Sequence, residues 1–123
     1  TNRDFCYSSG YEYWGKMESD GNVLSSGKKE TVLRSNKKKI KRDATYDMIV
    51  HYEVIQAKED SAAVFRVRNA QDEIIAEQEM PKDATEIRIR DVSVTQSMEW
   101  IRYRINAQKG SKIRIKSIET VAQ

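Results

Sequence analysis

Apolar residues alternating with polar or charged ones, in short runs from Tyr46 onward, constrain the fold more than any other feature of the sequence. Successive side chains of a strand point to opposite faces, so such runs build strands with one apolar face and one wet face. In the clearest run, Tyr46, Met48, Val50, Tyr52 and Val54 share one face, while Asp47, Ile49, His51, Glu53 and Ile55 share the other. The first set reads as core and the second as half exposed. From Ala63 to Arg68, Phe65 and Val67 oppose Val64, Arg66 and Arg68. A turn-like Asn69–Asp72 and the run Ile74–Met80 follow, so residues 62–80 read as a hairpin, ended by Pro81, the only proline. Glu86–Arg90 repeats the rhythm, but Val92 and Val94 fall out of phase with Ile87 and Ile89. A bulge or bend near Asp91 accounts for the slip. The next strand runs from Trp100 to Ile105 with Ile101, Tyr103 and Ile105 inward; Lys109–Ser111 is a turn, and Lys112–Lys116 is the last strong strand.

The segment before residue 44 is less regular. Tyr11–Met17 and Thr31–Leu33 read as strands, Glu18–Asn22 as a turn, Ser25–Lys29 as a loop and Lys37–Arg42 as a basic run. No stretch sustains a helical period, so little helix is expected. Short strands joined by polar turns predict an all-β fold, a two-sheet antiparallel β-sandwich of jelly-roll type. At 123 residues the chain fits one domain, 1–123, able to bury a core without disulfides or metals. It begins at Thr1 rather than Met, and we expect a domain excised from a longer protein.

Residue types exclude much chemistry. Cys6 is the only cysteine, so no intrachain disulfide holds the fold. That leaves the compartment open, with an extracellular or cell-envelope setting expected ahead of a cytoplasmic one. His51 is the only histidine, which is too few ligands for zinc, and no nucleophile-elbow motif accompanies it. Cys6 reads as a small, partly buried thiol. Glu77 and Glu79 project together, and Asp47 and Glu53 flank His51. Paired carboxylates hydrolyse glycosides only in a cleft, and a small sandwich without long loops has little material for one. No catalytic residue and no enzyme are therefore expected. The five glycines sit in turns and none opens a helix, so there is no phosphate cradle. No cofactor is expected. Calcium is the one metal left open, through the oxygens of Glu18, Asp20 and Asn22, which otherwise form a solvated turn. No apolar stretch approaches the ~18 residues of a membrane span.

Net charge is only +3, so the distribution of charge matters more than its total. Arginines recur at alternate strand positions: Arg66 and Arg68, Arg88 and Arg90, Arg102 and Arg104, then Arg114 between Lys112 and Lys116. Trp100 shares the parity of Arg102 and Arg104. If some of these strands are neighbours, one sheet face is strongly basic. Tryptophan stacks on the apolar face of a sugar ring, and arginine offers a planar fork to hydroxyls or carboxylates. The same pairing suits single-stranded nucleic acid. Glu53, Glu77, Glu79 and Glu99 alternate into the region, and the RNA-binding aromatic motif is absent, so nucleic acid is the weaker reading. Cross-strand Arg–Glu pairs would also satisfy these charges with no ligand at all.

Tyr13-Trp14-Gly15 followed by a polar stretch, the strand opening Ala44-Thr45-Tyr46, and the closing Trp100–Ile105, Gly110, Ile113–Ile115 and Ile118 set a recognisable layout. From about Trp14 onward it resembles the jelly-roll carbohydrate-binding modules attached to polysaccharide-active proteins. The resemblance implies a non-catalytic accessory module that recognises a polysaccharide, acidic given the arginines, and holds a parent enzyme near it. The candidate ligand-binding residues are Trp100, Arg102, Arg104, Arg66, Arg68, Trp14 and His51. The alternative is a structural, oligomerising or domain-interaction sandwich attached to a polysaccharide-active enzyme or glycosyltransferase. Ile49, Ile55, Val64 and Ile75 fall on outward parity, more apolar residues than a free surface needs, and would face the partner.

Overall fold

A computed structural model describes residues 5–6, 22–25, 31–35, 44–94 and 100–122. Nine strands run through them: β1 (Phe5–Cys6), β2 (Asn22–Ser25), β3 (Thr31–Ser35), β4 (Ala44–Gln56), β5 (Ser61–Asn69), β6 (Ile74–Pro81), β7 (Glu86–Val94), β8 (Ile101–Ala107) and β9 (Lys112–Ala122). They form a five-stranded sheet in the order β1-β3-β8-β5-β6 and a four-stranded sheet in the order β2-β9-β4-β7. Every pairing is antiparallel, and no helix occurs among the described residues. The fold is a two-sheet antiparallel β-sandwich of jelly-roll type. Only β5 and β6 are both consecutive and paired; every later connection crosses between sheets. The predicted strand at Tyr11–Met17, with Trp14, and the basic run Lys37–Arg42 lie outside the described residues. β2 starts on the last residue read from sequence as turn and ends on the first read as loop, because β9 supplies it with a partner from Lys112 to Ile115.

The core is the sum of the inward parities. Met48, Val50 and Tyr52 of β4, Phe65 and Val67 of β5, Ile101, Tyr103 and Ile105 of β8, and Ile113, Ile115 and Ile118 of β9 are all buried. Each such side chain contributes roughly 1.5–3 kcal/mol when taken out of water. Phe65 and Tyr103 pack ring to ring at 5.7 Å, as neighbours across β5 and β8. Ladders of this kind flip every side chain if the register slips by one residue, so the apolar layer fixes the register as well as the fold.

Two bulges keep the inward face apolar where strict alternation breaks. Asp91 has φ 59°, and around it the β4–β7 register shifts between Tyr46 and Met48. Ile87, Val92 and Val94 are all buried as a result, despite their mismatched parity. Asp47 fastens this bulge by accepting the Asp91 N–H at 3.1 Å. In β9 the register shifts beside Tyr52, leaving Lys116 exposed and restoring Ile118 to the core. β9 consequently runs well past Lys116, where the sequence reading stopped.

Tyrosines bolt the layers together. The Tyr103 hydroxyl on β8 meets the Thr120 hydroxyl on β9, across the sandwich. Tyr52 donates its hydroxyl to the Pro81 carbonyl at 2.7 Å, and its backbone N–H to the Thr85 carbonyl at 2.9 Å. One β4 residue therefore holds both ends of the crossing from β6 to β7. Burial pushes the Tyr52 phenol up from 10.0 to about 12. The folded value lies above the unfolded one, so this contribution is complete below pH 10 and is lost as pH climbs through 12. Two units correspond to roughly 2–3 kcal/mol. We expect Tyr52→Phe to lose about 1–2 kcal/mol at neutral pH and to show a shallower loss of stability between about pH 10 and 12 than the wild type. Urea unfolding across that range checks both, and parallel pH curves for the two proteins would contradict it.

Candidate functional site

The outward face of the five-stranded sheet gathers the arginines of β5 and β8. The register sets Arg66 opposite Arg104 and Arg68 opposite Arg102. Rows two residues apart along a strand are separated by ~7 Å, and paired strands by ~4.8 Å, so the four side chains root in a small rectangle. β5 and β8 are interior strands, so Arg66, Arg68 and Arg104 have ladder neighbours on both sides, while the β3 pairing ends at Arg104 and leaves Arg102 paired with Arg68 alone. Arg34 of β3 takes the register position beside Arg104. On the other flank Glu77 of β6 sits opposite Arg66 and accepts its Nε–H at 2.5 Å.

Like charges directly opposite one another destabilise a sheet. At ~5 Å, two unit charges repel by roughly 1–3 kcal/mol for effective dielectric constants between water and a protein surface. Arg66 is compensated by Glu77. Arg68 donates through Nη1 to the Asp72 carbonyl at 2.9 Å, with the Asp72 carboxylate further off at 3.5 Å. Asp72 itself adopts φ 63° in a turn organised by Asn69, whose side-chain oxygen accepts the N–H groups of Gln71 and Glu73. The Arg102 guanidinium lies over the Trp100 ring, 5.3 Å from its centroid. That stacking is worth about 0.5–1 kcal/mol at an exposed site and more where water is excluded. The Nε groups of Arg68, Arg102 and Arg104 are all shut off from solvent with no hydrogen-bond acceptor at that atom.

The four-stranded sheet is built on the opposite plan. Arg88 of β7 donates to Asp47 at 3.0 Å, and Arg114 of β9 stands opposite Glu53, 3.6 Å away. His51 shares a 2.7 Å hydrogen bond with Glu119. Each arginine named here meets a carboxylate from a neighbouring strand. Two of these pairs bracket Ile49, which is flanked in register by Arg88 and Glu119 and is only 5% exposed. Long side chains that carry charge at the tip cover apolar surface with their stems.

Of the residues singled out from sequence, the structure brings Trp100, Arg102, Arg104, Arg66 and Arg68 to one face. His51 lies on the other sheet, and Trp14 is outside the described residues. Asn106, opposite Val64 in the next row, extends the same face. It was overlooked although it continues the alternate series Arg102, Arg104. Of the apolar residues assigned to outward parity, Ile55 is exposed, Val64 is half-buried, Ile49 is buried and Ile75 packs against the core.

Among the described residues no cavity opens and no group of three or more His, Cys, Asp or Glu comes together. Glu18 and Asp20 of the calcium-type turn lie outside them. The arginine face offers planar donors, positive charge and the Trp100 ring.

No family model and no curated protein matches the sequence. Solved structures do share the fold. The chain is similar to part of the enzymatically active domain of tailspike protein 4 of bacteriophage CBA120, with TM-score 0.63 and 11% identity over 82% of this chain, which spans only 15% of that one. It is similar to CBM86, a low-affinity xylan-binding module from Roseburia intestinalis, with TM-score 0.60 and 12% identity, covering 98% of this chain and 90% of that one. It is also similar to a family 61 carbohydrate-binding module in complex with β-1,4-galactotriose, with TM-score 0.52 and 11% identity, covering 82% and 69%. At these identities the likeness is one of fold, and that fold is the β-sandwich found in carbohydrate-binding modules.

Proposed function

We propose that this domain is a non-catalytic module that binds a polysaccharide, preferentially an acidic one, on the outward face of β5 and β8. The observation that carries the reading is the four-arginine block beside Trp100 on interior strands of a rigid sheet. A fold shared with sugar-binding modules adds support. On the opposite sheet Arg88, Arg114 and His51 each meet a carboxylate from a neighbouring strand, which favours the arginine face as the one that meets an anion. Binding is shallow and non-covalent. Guanidinium forks engage carboxylates and hydroxyls, and Trp100 presents aromatic surface to a sugar ring.

The interaction-domain reading draws less support. Among the described residues the exposed large apolar side chains Ile55, Ile74 and Val121 form no shared patch: Ile55 and Val121 stand at opposite ends of one sheet, and Ile74 belongs to the other.

Titration with acidic and neutral polysaccharides, followed by tryptophan fluorescence, tests the proposal. An acidic polymer should give a saturable change that weakens as salt screens the charges. Trp100→Ala should abolish the signal and lower affinity about tenfold, or ~1.4 kcal/mol. A flat response across a broad panel, with Trp100→Ala equally silent, would contradict it.

A further inference from the structure

The four arginines are not equivalent, and their difference points to where on the face an anion sits. Arg66 already holds Glu77 at 2.5 Å. Arg68 and Arg102 stand directly opposite each other across β5 and β8. Both Nε–H groups have lost water without gaining an acceptor; the Nε of Arg104 is enclosed in the same way, but Arg104 stands opposite Arg66, whose charge Glu77 compensates. Arg68 is anchored from one side only, through Nη1 to the turn at Asp72. Arg102 is anchored by stacking on Trp100, which holds the guanidinium plane while satisfying none of its N–H donors. Two cations are thereby held side by side, half covered, oriented and under-compensated. The Arg68 side chain is 21% exposed, enough for a ligand to reach and little enough for water to screen its charge poorly.

We propose that Arg68 and Arg102 form a single oxyanion seat, which takes a carboxylate or a sulfate ester carried on a sugar ring. An oxyanion between the two guanidiniums turns their mutual repulsion into a shared attraction and offers acceptors to both forks. Trp100, stacked against Arg102, brings an aromatic ring beside the seat, so one sugar residue presents its acidic group to the arginines and its ring to the tryptophan. The seat makes acidic substituents the specificity determinant, and it rests on the reading that this face binds glycans.

The test uses inorganic sulfate first, then three polymers: dextran, dextran sulfate and polygalacturonate. Sulfate is followed by the arginine Nε–Hε resonances in nitrogen–proton correlation spectra. Those of Arg68 and Arg102 should shift, with Arg66 and Arg88 unmoved. Dextran sulfate or polygalacturonate should bind at least about tenfold more tightly than dextran, and whichever does so identifies sulfate ester or carboxylate as the substituent read. Arg68→Gln and Arg102→Gln should each remove that advantage, while Arg88→Gln and Arg114→Gln, both on the other sheet, stay within about threefold of wild type, all four keeping the wild-type melting profile. If sulfate moves Arg68 and Arg102 but no polymer binds, the seat stands and the glycan reading fails. If polymers bind yet Arg68→Gln and Arg102→Gln change nothing, or all four variants lose affinity alike, the seat is overturned while glycan binding survives. If sulfate leaves both resonances in place, the seat is overturned directly.

Discussion

One apolar layer, shared by the two sheets, sets the terms for every other residue. Met48, Val50 and Tyr52 from one sheet and Phe65, Val67, Ile101, Tyr103 and Ile105 from the other fill it. Because strand side chains alternate, committing these residues inward commits their neighbours outward. Arg66 and Arg68 flank Val67, and Arg102 and Arg104 flank Tyr103, so none of the four has a choice of face. The same layer locks β5 against β8 in one register, since a shift of one residue would put guanidiniums into the core. Opposed arginines are thus a consequence of the packing, and the sheet tolerates their repulsion because the apolar layer outweighs it.

The two faces of the sandwich settle their charges in different ways. Around Ile49 the arrangement is complementary, with Arg88 on Asp47 and His51 on Glu119. Across β5 and β8 it is not, and the carboxylates nearby, Glu77 and Asp72, reach Arg66 and Arg68 only from the edge strand and the turn. Proteins accept local destabilisation of this kind where a surface serves binding. The asymmetry separates the faces more sharply than composition does, because the chain as a whole carries acids and bases in nearly equal number, 19 against 22.

Much of the architecture was readable in the residues themselves. Uninterrupted alternation gave the strand from Tyr46 to Val54 and its inward set, and a turn of Asn and Asp between two such runs gave the β5–β6 hairpin. The phase slip of Val92 and Val94 located the bulge that Asp91 forms with its positive φ. The bulge near Lys116 was missed, since Lys116-Ser117-Ile118 reads equally well as a strand ending. β2 was missed because four residues are too few to show a period, and its strand character comes from pairing with β9. For the candidate site, parity identified which arginines face water but could not assign them to sheets. His51 was therefore grouped with Trp100, though β4 and β8 lie in different layers. The meeting of β5 with β8 is a long-range pairing between strands that no short turn joins, and local pattern carries no information about it.

The account therefore rests most heavily on the β5–β8 register, and solution NMR reads that register directly. Backbone proton contacts across the two strands should link Arg66 with Arg104 and Arg68 with Arg102, alongside Val67 with Tyr103. Contacts that instead join Arg66 to Tyr103 or to Ile105 would place arginine opposite an inward residue, dissolve the four-arginine block and contradict the account.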